Sequence, residues 1–188
     1  MSDLGDQFKK EKHVYLHGII APEESHELTK HMFALHDKGK TVRDDLCPLS
    51  GSIHNDTKFD RVLKKLCAPL SDILKISLAP TYSYARLYKT GESLIPHVDR
   101  EACEISVTIT LGFDPSQKVW PIFFGHVNDD GELVGSPIDV GIGDAVIYRG
   151  TELGHWRTTF QGTWQVQLFL HYINAEKNFA PRMSDGLI

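Results

Sequence analysis

The stretch TYSYARLYKTGESLIPHVD, residues 81–99, decides the fold. Tyr82, Tyr84, Arg86 and Tyr88 fall at alternate positions, with Ser83, Ala85 and Leu87 between them. That period of two assigns the two sets to opposite faces of a β-strand. Thr90 and Gly91 mark a turn. A second apolar run, LIPH, follows and ends on His97 and Asp99, two positions apart.

Upstream of this stretch the period is helical. PEESHELTKHMFALHDKG (22–39) carries Leu28, Met32 and Leu35 as an apolar stripe. Pro22, Glu23 and Glu24 suit a helix start and Gly39 a stop; His26 and His31 lie off the stripe, on a solvated face. HVYLHGII (13–20) reads as a first strand and residues 40–56 as a loop. TKFDRVLKKLCAPLSDILKISL (57–78) returns to helical spacing, capped by Asn55, Asp56 or Thr57. Pro69 predicts a kink or a division of that helix.

Downstream the chain reads as short strands separated by Gly, Asp and Pro: 104–113, 118–125, 136–140, 144–150, 154–160 and 163–173. His126 falls in a hairpin loop, GHVNDDG. Residues 174–188 turn irregular or helical. The fold class expected is α+β and mainly β: one domain over 1–188, with a helical portion at about 22–78 and a jelly-roll core at about 81–173. Two helices should pack outside one sheet.

The chain has 188 residues, enough for one domain with a proper core. Its net charge of −5, with both signs interspersed, argues against non-specific nucleic-acid binding. The first thirteen residues lack the apolar run of a secretory signal, and no apolar run suits a membrane span. Three scattered cysteines suit a reducing, cytoplasmic setting.

His97 and Asp99 need a third partner before they suggest a metal site. The downstream candidates are His126, His155 and His171. Four strands fit between His97 and His155, enough to wind round a barrel and return beside the first. Two imidazoles and one carboxylate suit non-heme Fe(II), because three protein ligands leave positions open for a cosubstrate and O2.

Residues 84–99 resemble the Y-x-x-G-x-x-(apolar)-x-x-H-x-D run of the iron(II)/2-oxoglutarate-dependent dioxygenases, in particular the prolyl 4-hydroxylase-like branch. Tyr88, Gly91, Leu94, His97 and Asp99 carry the pattern. GDAVIYRGTELGHW resembles that superfamily's later strand and distal histidine, through Gly143, Asp144 and His155. The resemblance covers about residues 82–173. It implies a double-stranded β-helix, with helices on the major sheet, that holds Fe(II) through His97, Asp99 and His155. It further implies use of 2-oxoglutarate and O2 to hydroxylate an unactivated C–H bond of a protein residue such as proline, an amino acid or another small molecule, releasing succinate and CO2. The retained Asp99 points to hydroxylation and away from halogenation, in which the carboxylate is lost.

One position departs from that pattern. The superfamily places an Arg or Lys about ten residues after the distal histidine, for the far carboxylate of the cosubstrate. Here GTWQVQ (162–167) offers Trp164 or Gln165. Arg157, two after His155 on the same strand, is the expected replacement. Gln165, Gln167 and Tyr88 would assist it. Arg86, Tyr84 and Arg149, each in an aromatic context, are the candidates for contact with an anionic substrate. The competing readings are a non-catalytic jelly-roll binding module with a vestigial metal site, and a cupin-like metalloenzyme that does not use 2-oxoglutarate.

Overall fold

The computed structural model describes residues 3–44 and 47–177. Three helices cover one face of a two-sheet β-structure. Helix α1 (Leu4–Glu11) is capped by Asp3, which accepts from the Gly5 amide, and it buries Phe8. It has no counterpart in the sequence reading, because eight residues are too short for a clear periodicity. Helix α2 (Pro22–Asp37) starts on its proline, and Gly39 follows its end at φ +64°. Leu28, Thr29 and Met32 face inward. His26 is exposed as expected, but His31 is not on a solvated face: it meets Asp56 at 2.8 Å and lies edge-on to Phe59.

Helix α3 (Thr57–Leu74) takes Asp56 as its cap. Pro69 lies inside it, and the helix is not divided there. Pro69 and Lys65 both face solvent, so the carbonyl that loses its donor is open to water. The helix stops at Leu74, four residues short of the expected end, where Lys75 turns left-handed.

The strands are β1 (His13–Leu16), β2 (Val42–Asp44), β3 (Cys47–His54), β4 (Leu78–Lys89), β5 (Leu94–His97), β6 (Ile105–Phe113), β7 (Ile122–Val127), β8 (Leu133–Ile138), β9 (Ala145–Arg149), β10 (Gly154–Arg157) and β11 (Trp164–Asn174). Strands β2 and β3 correct the expected loop over 40–56. Their Pro, Gly and Ser content signals a loop, yet β3 is a paired strand next to the sheet edge. Gly51 belongs there for space: a Cβ would stand 2.6 Å from Thr41 Oγ1 and 2.8 Å from His36 Nδ1, at the end of α2. His126 lies within β7 and not in the hairpin loop.

Two sheets form, of order β1-β9-β6-β11-β4-β3-β2 and β5-β10-β7-β8, and every strand pair is antiparallel. Alternation along the large sheet sorts its residues. Ala85, Leu87, Val107, Ile109, Val166, Leu168 and Leu170 join the core under the helices, with Phe59, Leu63, Leu66 and Met32. The intervening set faces the second sheet. It comprises Tyr82, Tyr84, Arg86 and Tyr88 on β4, Ser106, Thr108 and Thr110 on β6, and Gln165, Gln167, Phe169 and His171 on β11. These residues are buried or half-buried, yet most are polar. A structural core has no use for so many buried polar groups unless they serve one another or a ligand. The small sheet and the segment leading into β7 close over them, through Phe124 against Tyr148 (5.0 Å between rings) and Trp120 against Tyr88 (4.9 Å). This is the jelly-roll architecture expected, with three helices in place of two.

Gly143 and Asp144 serve the frame. Gly143 adopts φ +81°, and a Cβ there would meet the Ile20 carbonyl at 2.4 Å. Asp144 accepts from Tyr15 Oη at 2.6 Å and from the Gly18 amide at 2.7 Å, tying the β1–α2 connection to β9. Among the described residues no helix is long and apolar enough to cross a membrane.

Candidate active site

His97 ends β5, and His155 lies opposite it on β10 as its direct cross-strand partner. Asp99 stands just beyond the end of β5, where its amide donates to the Gly150 carbonyl at 2.7 Å. His97 is the last residue of the strand, and Asp99 lies just past it, anchored through its amide to the segment that follows β9. The three side chains offer ligand atoms that all lie within 4.8 Å of one another, and among the described residues this is the group of His, Cys, Asp or Glu so arranged.

The donor chemistry of this group suits a cation. His97 Nδ1 lies 2.7 Å from the Ile95 carbonyl, and His155 Nδ1 lies 3.0 Å from the Leu153 carbonyl. A carbonyl only accepts, so each Nδ1 carries its proton and each neutral ring keeps a lone pair on Nε2. Both Nε2 atoms face the same oxygen, Asp99 Oδ1, at 3.7 and 3.6 Å. Two lone pairs and an anion converge there, with only the Tyr148 hydroxyl, 3.5 Å from His155 Nε2, in reach to donate among them; a divalent cation would turn their mutual repulsion into coordination.

Asp99 is fixed from behind. Ser106 Oγ donates to Asp99 Oδ2 at 2.6 Å and lies 3.0 Å from His171 Nδ1. The Ser106 proton goes to the carboxylate, so His171 Nδ1–H donates to Ser106. This relay occupies Oδ2 and leaves Oδ1 facing the imidazoles. Burial opposes the Asp99 charge, but the Ser106 hydroxyl, together with His155 and His171 whenever those imidazoles carry a second proton, outweighs it and holds the carboxyl well below the usual range. Burial, with His155 alongside, lowers the basicity of His97. Burial pulls His171 down to about 4.

The triad opens into a cavity of about 350 Å³. Its walls include Tyr82, Tyr84, Arg86 and Tyr88 from β4, Phe169 and His171 from β11, Tyr148 from β9, His54 from β3 and Asp44 from β2. Tyr88, Arg86 and Tyr84 thus reach the cavity. Arg149 does not: its guanidinium lies over the Phe8 ring and meets Glu152, on the helix side of β9. An arginine at an odd position of β9 shares the face of Ile147, not that of Tyr148.

Arg157, Gln165 and Gln167 lie buried beyond Tyr88 and do not line the cavity directly. Gln165 is the cross-strand partner of Tyr88, and Gln167 that of Arg86. Gln167 is engaged with Thr108 (2.8 Å), Thr110 and Gln165. Arg157 is 1% exposed, stacks on Trp120 and donates through Nη1 to the Trp120 carbonyl. Its Nε and Nη2 have no partner among the described residues, nor does Gln165 Oε1. Nε and Nη2 share one edge of the guanidinium, the edge that matches the two oxygens of a carboxylate. Burial without an acid alongside pulls Arg157 down to about 10.

The sequence reading missed Ser106, His54, Asp44 and Tyr148. Ser106 was readable in principle: in ISVTITL the polar residues Ser106, Thr108 and Thr110 alternate with apolar ones on a strand buried on both faces. His171, a downstream candidate for the third ligand, is not one of the triad; it shares the inward face of β11 with Gln165 and Gln167 and reaches the cavity behind Asp99. Asp44 lies on an edge strand that the sequence disguises as a loop.

The arrangement can be set against known structures. The chain superposes on a Pseudomonas putida prolyl-4-hydroxylase with a TM-score of 0.71 over 90% of this chain and 96% of that one, at 14% identity. The chain has the fold of the 2OG-Fe(II) oxygenases. HygX from Streptomyces hygroscopicus, solved with nickel and 2-oxoglutarate bound, matches with a TM-score of 0.73 over 94% and 88% at 14% identity. SnoN, a non-heme alpha-ketoglutarate-dependent epimerase from nogalamycin biosynthesis, matches with 0.74 over 92% and 81%, also at 14%. No family model matches the sequence, and no curated protein matches it. The likeness resides in the backbone, and the fold hosts more than one reaction.

Proposed function

We propose that this chain is a non-heme Fe(II)- and 2-oxoglutarate-dependent oxygenase that hydroxylates an unactivated C–H bond. One observation carries the reading. Two imidazole lone pairs and a carboxylate oxygen converge at the edge of a cavity, while a buried arginine fork beyond that cavity lacks its anion. A vestigial site has no reason to keep either feature, since each is costly without a ligand. A cupin-like enzyme that needs no dicarboxylate leaves the fork unexplained.

In this reading His97, Asp99 and His155 hold Fe(II). The backbone carbonyls of Ile95 and Leu153 fix the ring tautomers, and Ser106 fixes the carboxylate. Arg157 receives the far carboxylate of 2-oxoglutarate, with Tyr88 and Gln165 beside it and Gln167 bracing Gln165. Arg86 and Tyr84 face the substrate. With metal and cosubstrate bound, the site supplies this oxidation: R–H, O2 and 2-oxoglutarate give R–OH, succinate and CO2. The protein's part is to orient the reactants and to exclude water through the aromatic walls.

The test is succinate formation. Purified protein with Fe(II), 2-oxoglutarate and O2 releases succinate, at least slowly without substrate, and His155→Ala releases none above background. Succinate release that is equal in the two proteins, or absent from both while iron is bound, contradicts the proposal.

A further inference from the structure

Besides Arg157, which lies beyond the cavity, a buried guanidinium in the cavity wall itself has hydrogen-bonding capacity that is not used up. Arg86 is 4% exposed and lines the cavity. Its Nη2 donates to Asp44 Oδ2 at 2.6 Å and to the Tyr84 hydroxyl, while Nε and Nη1 are buried with no oxygen or nitrogen partner among the described residues, the Cys47 thiol being the polar group beside the guanidinium. Tyr88 separates it from Arg157. The Arg86 guanidinium lies 5.5 Å from the Tyr88 ring, Tyr88 meets Trp120 edge-on, and Arg157 stacks on Trp120 at 4.9 Å. A terminal carboxylate docked on the Arg157 edge uses both of its oxygens there. It leaves Arg86 Nε and Nη1 without an oxygen acceptor.

The surroundings of Arg86 define what completes it. The adjoining wall is aromatic: Tyr84 lies 5.7 Å from Phe169 and 4.2 Å from the His54 ring. Val98, half exposed, adds an apolar edge. The Asp44 carboxylate accepts through Oδ2 from Arg86 and from Tyr84 Oη (2.9 Å) and through Oδ1 from the Cys47 amide (2.9 Å), so both oxygens are engaged before a substrate arrives. Its negative charge beside Arg86 favours a monoanion over a phosphate dianion. A volume of about 350 Å³ stands at the low end of the roughly 300–1,000 Å³ of small-molecule sites.

Building on the oxygenase reading, we propose that Arg86 is the anion subsite for the substrate. The substrate is then a small carboxylic acid with an apolar or aromatic body, not a segment of a folded protein. Arg86 binds its carboxylate, and the aromatic wall beside Tyr84 and Phe169 takes its body.

Matched acid and amide probes test this. Calorimetric titration of the Ni(II)- and 2-oxoglutarate-loaded protein, in which no turnover occurs, compares 3-phenylpropionate with 3-phenylpropionamide and hexanoate with hexanamide. Each acid should bind at least about tenfold tighter than its amide, the effect of a charge-assisted hydrogen bond. In Arg86→Gln that ratio should fall to within about twofold while 2-oxoglutarate binding changes by less than about twofold. Asp44→Asn should tighten both acids. The proposal is overturned if acid and amide bind alike, if neither acid binds, or if Arg86→Gln weakens 2-oxoglutarate itself. The wild-type comparison stands even where Arg86→Gln does not fold. A wild-type protein that takes up neither nickel nor 2-oxoglutarate overturns the oxygenase reading, and this subsite with it.

Discussion

His97 and His155 are direct cross-strand partners at the end of the β5–β10 ladder, with ring centroids 4.3 Å apart. Adjacent positions on paired strands bring two distant residues together with no help from loops, so the site is held as firmly as the sheet. That placement predicts a preformed site. In the oxygenase reading, saturating Ni(II) or Fe(II) at 100 times Kd raises stability by about 2.7 kcal/mol without changing the far-UV circular dichroism. His97→Ala should lose the thermal shift. A metal-induced gain in secondary structure contradicts a preformed site.

Ser106 decides how Asp99 presents itself. Ser106→Ala frees Oδ2 and lets the carboxylate rotate, and loss of an outer-shell partner of this kind costs about 10–100-fold in metal affinity. Competition with a fluorescent chelator measures it. Ser106→Thr, which keeps the hydroxyl, should restore most of the loss. A dissociation constant unchanged in Ser106→Ala removes the relay from the account.

In the same oxygenase reading Arg157 trades stability for binding. A buried guanidinium with an empty edge costs folding energy, and an apolar replacement of similar reach removes that cost. Arg157→Met should make the ligand-free protein more stable by about 1–3 kcal/mol in urea unfolding, while its affinity for 2-oxoglutarate falls by at least about tenfold. A variant that is destabilised and binds 2-oxoglutarate as before assigns Arg157 to the frame alone.

His171 gives the fold a pH dependence. Burial pulls its folded-state value down to about 4, against about 6.5 in an unfolded chain. Between those values the unfolded state binds a proton that the folded state does not. Stability is therefore complete above about pH 6.5 and is lost as pH falls toward 4, by up to about 1.4 kcal/mol per pH unit. Urea unfolding at pH 7, 6 and 5 should show a shallower loss in His171→Gln than in the wild type. Parallel lines for the two proteins contradict this assignment.

How much of this was legible beforehand follows from the physics of each signal. Strands β4, β6, β9 and β11 announce themselves by alternation and β-branched content, and the large sheet follows from them. The triad was legible because H-x-D and a histidine four strands later satisfy the topology of a jelly roll. Strands β2 and β3 were not legible, because β2 is only three residues long and β3, which passes close under a helix end, needs Gly51 and carries Pro48, both of which spell a loop. Nor was the difference between Arg86 and Arg149. Both sit among aromatic residues, but only the register with β11 and β6 shows that one faces the cavity and the other Phe8. The unfilled edge of Arg157 is a property of three dimensions, since spacing says which residue is near His155 but not which of its nitrogens lack a partner.

The central claim is that Fe(II) and 2-oxoglutarate bind together at His97, Asp99 and His155. The most direct measurement is the anaerobic visible spectrum of the protein with Fe(II) as 2-oxoglutarate is added. The account predicts a weak metal-to-ligand charge-transfer band that saturates with 2-oxoglutarate, is absent in Asp99→Ala, and needs more 2-oxoglutarate in Arg157→Met. Iron bound by the wild type with no such band at any 2-oxoglutarate concentration contradicts it.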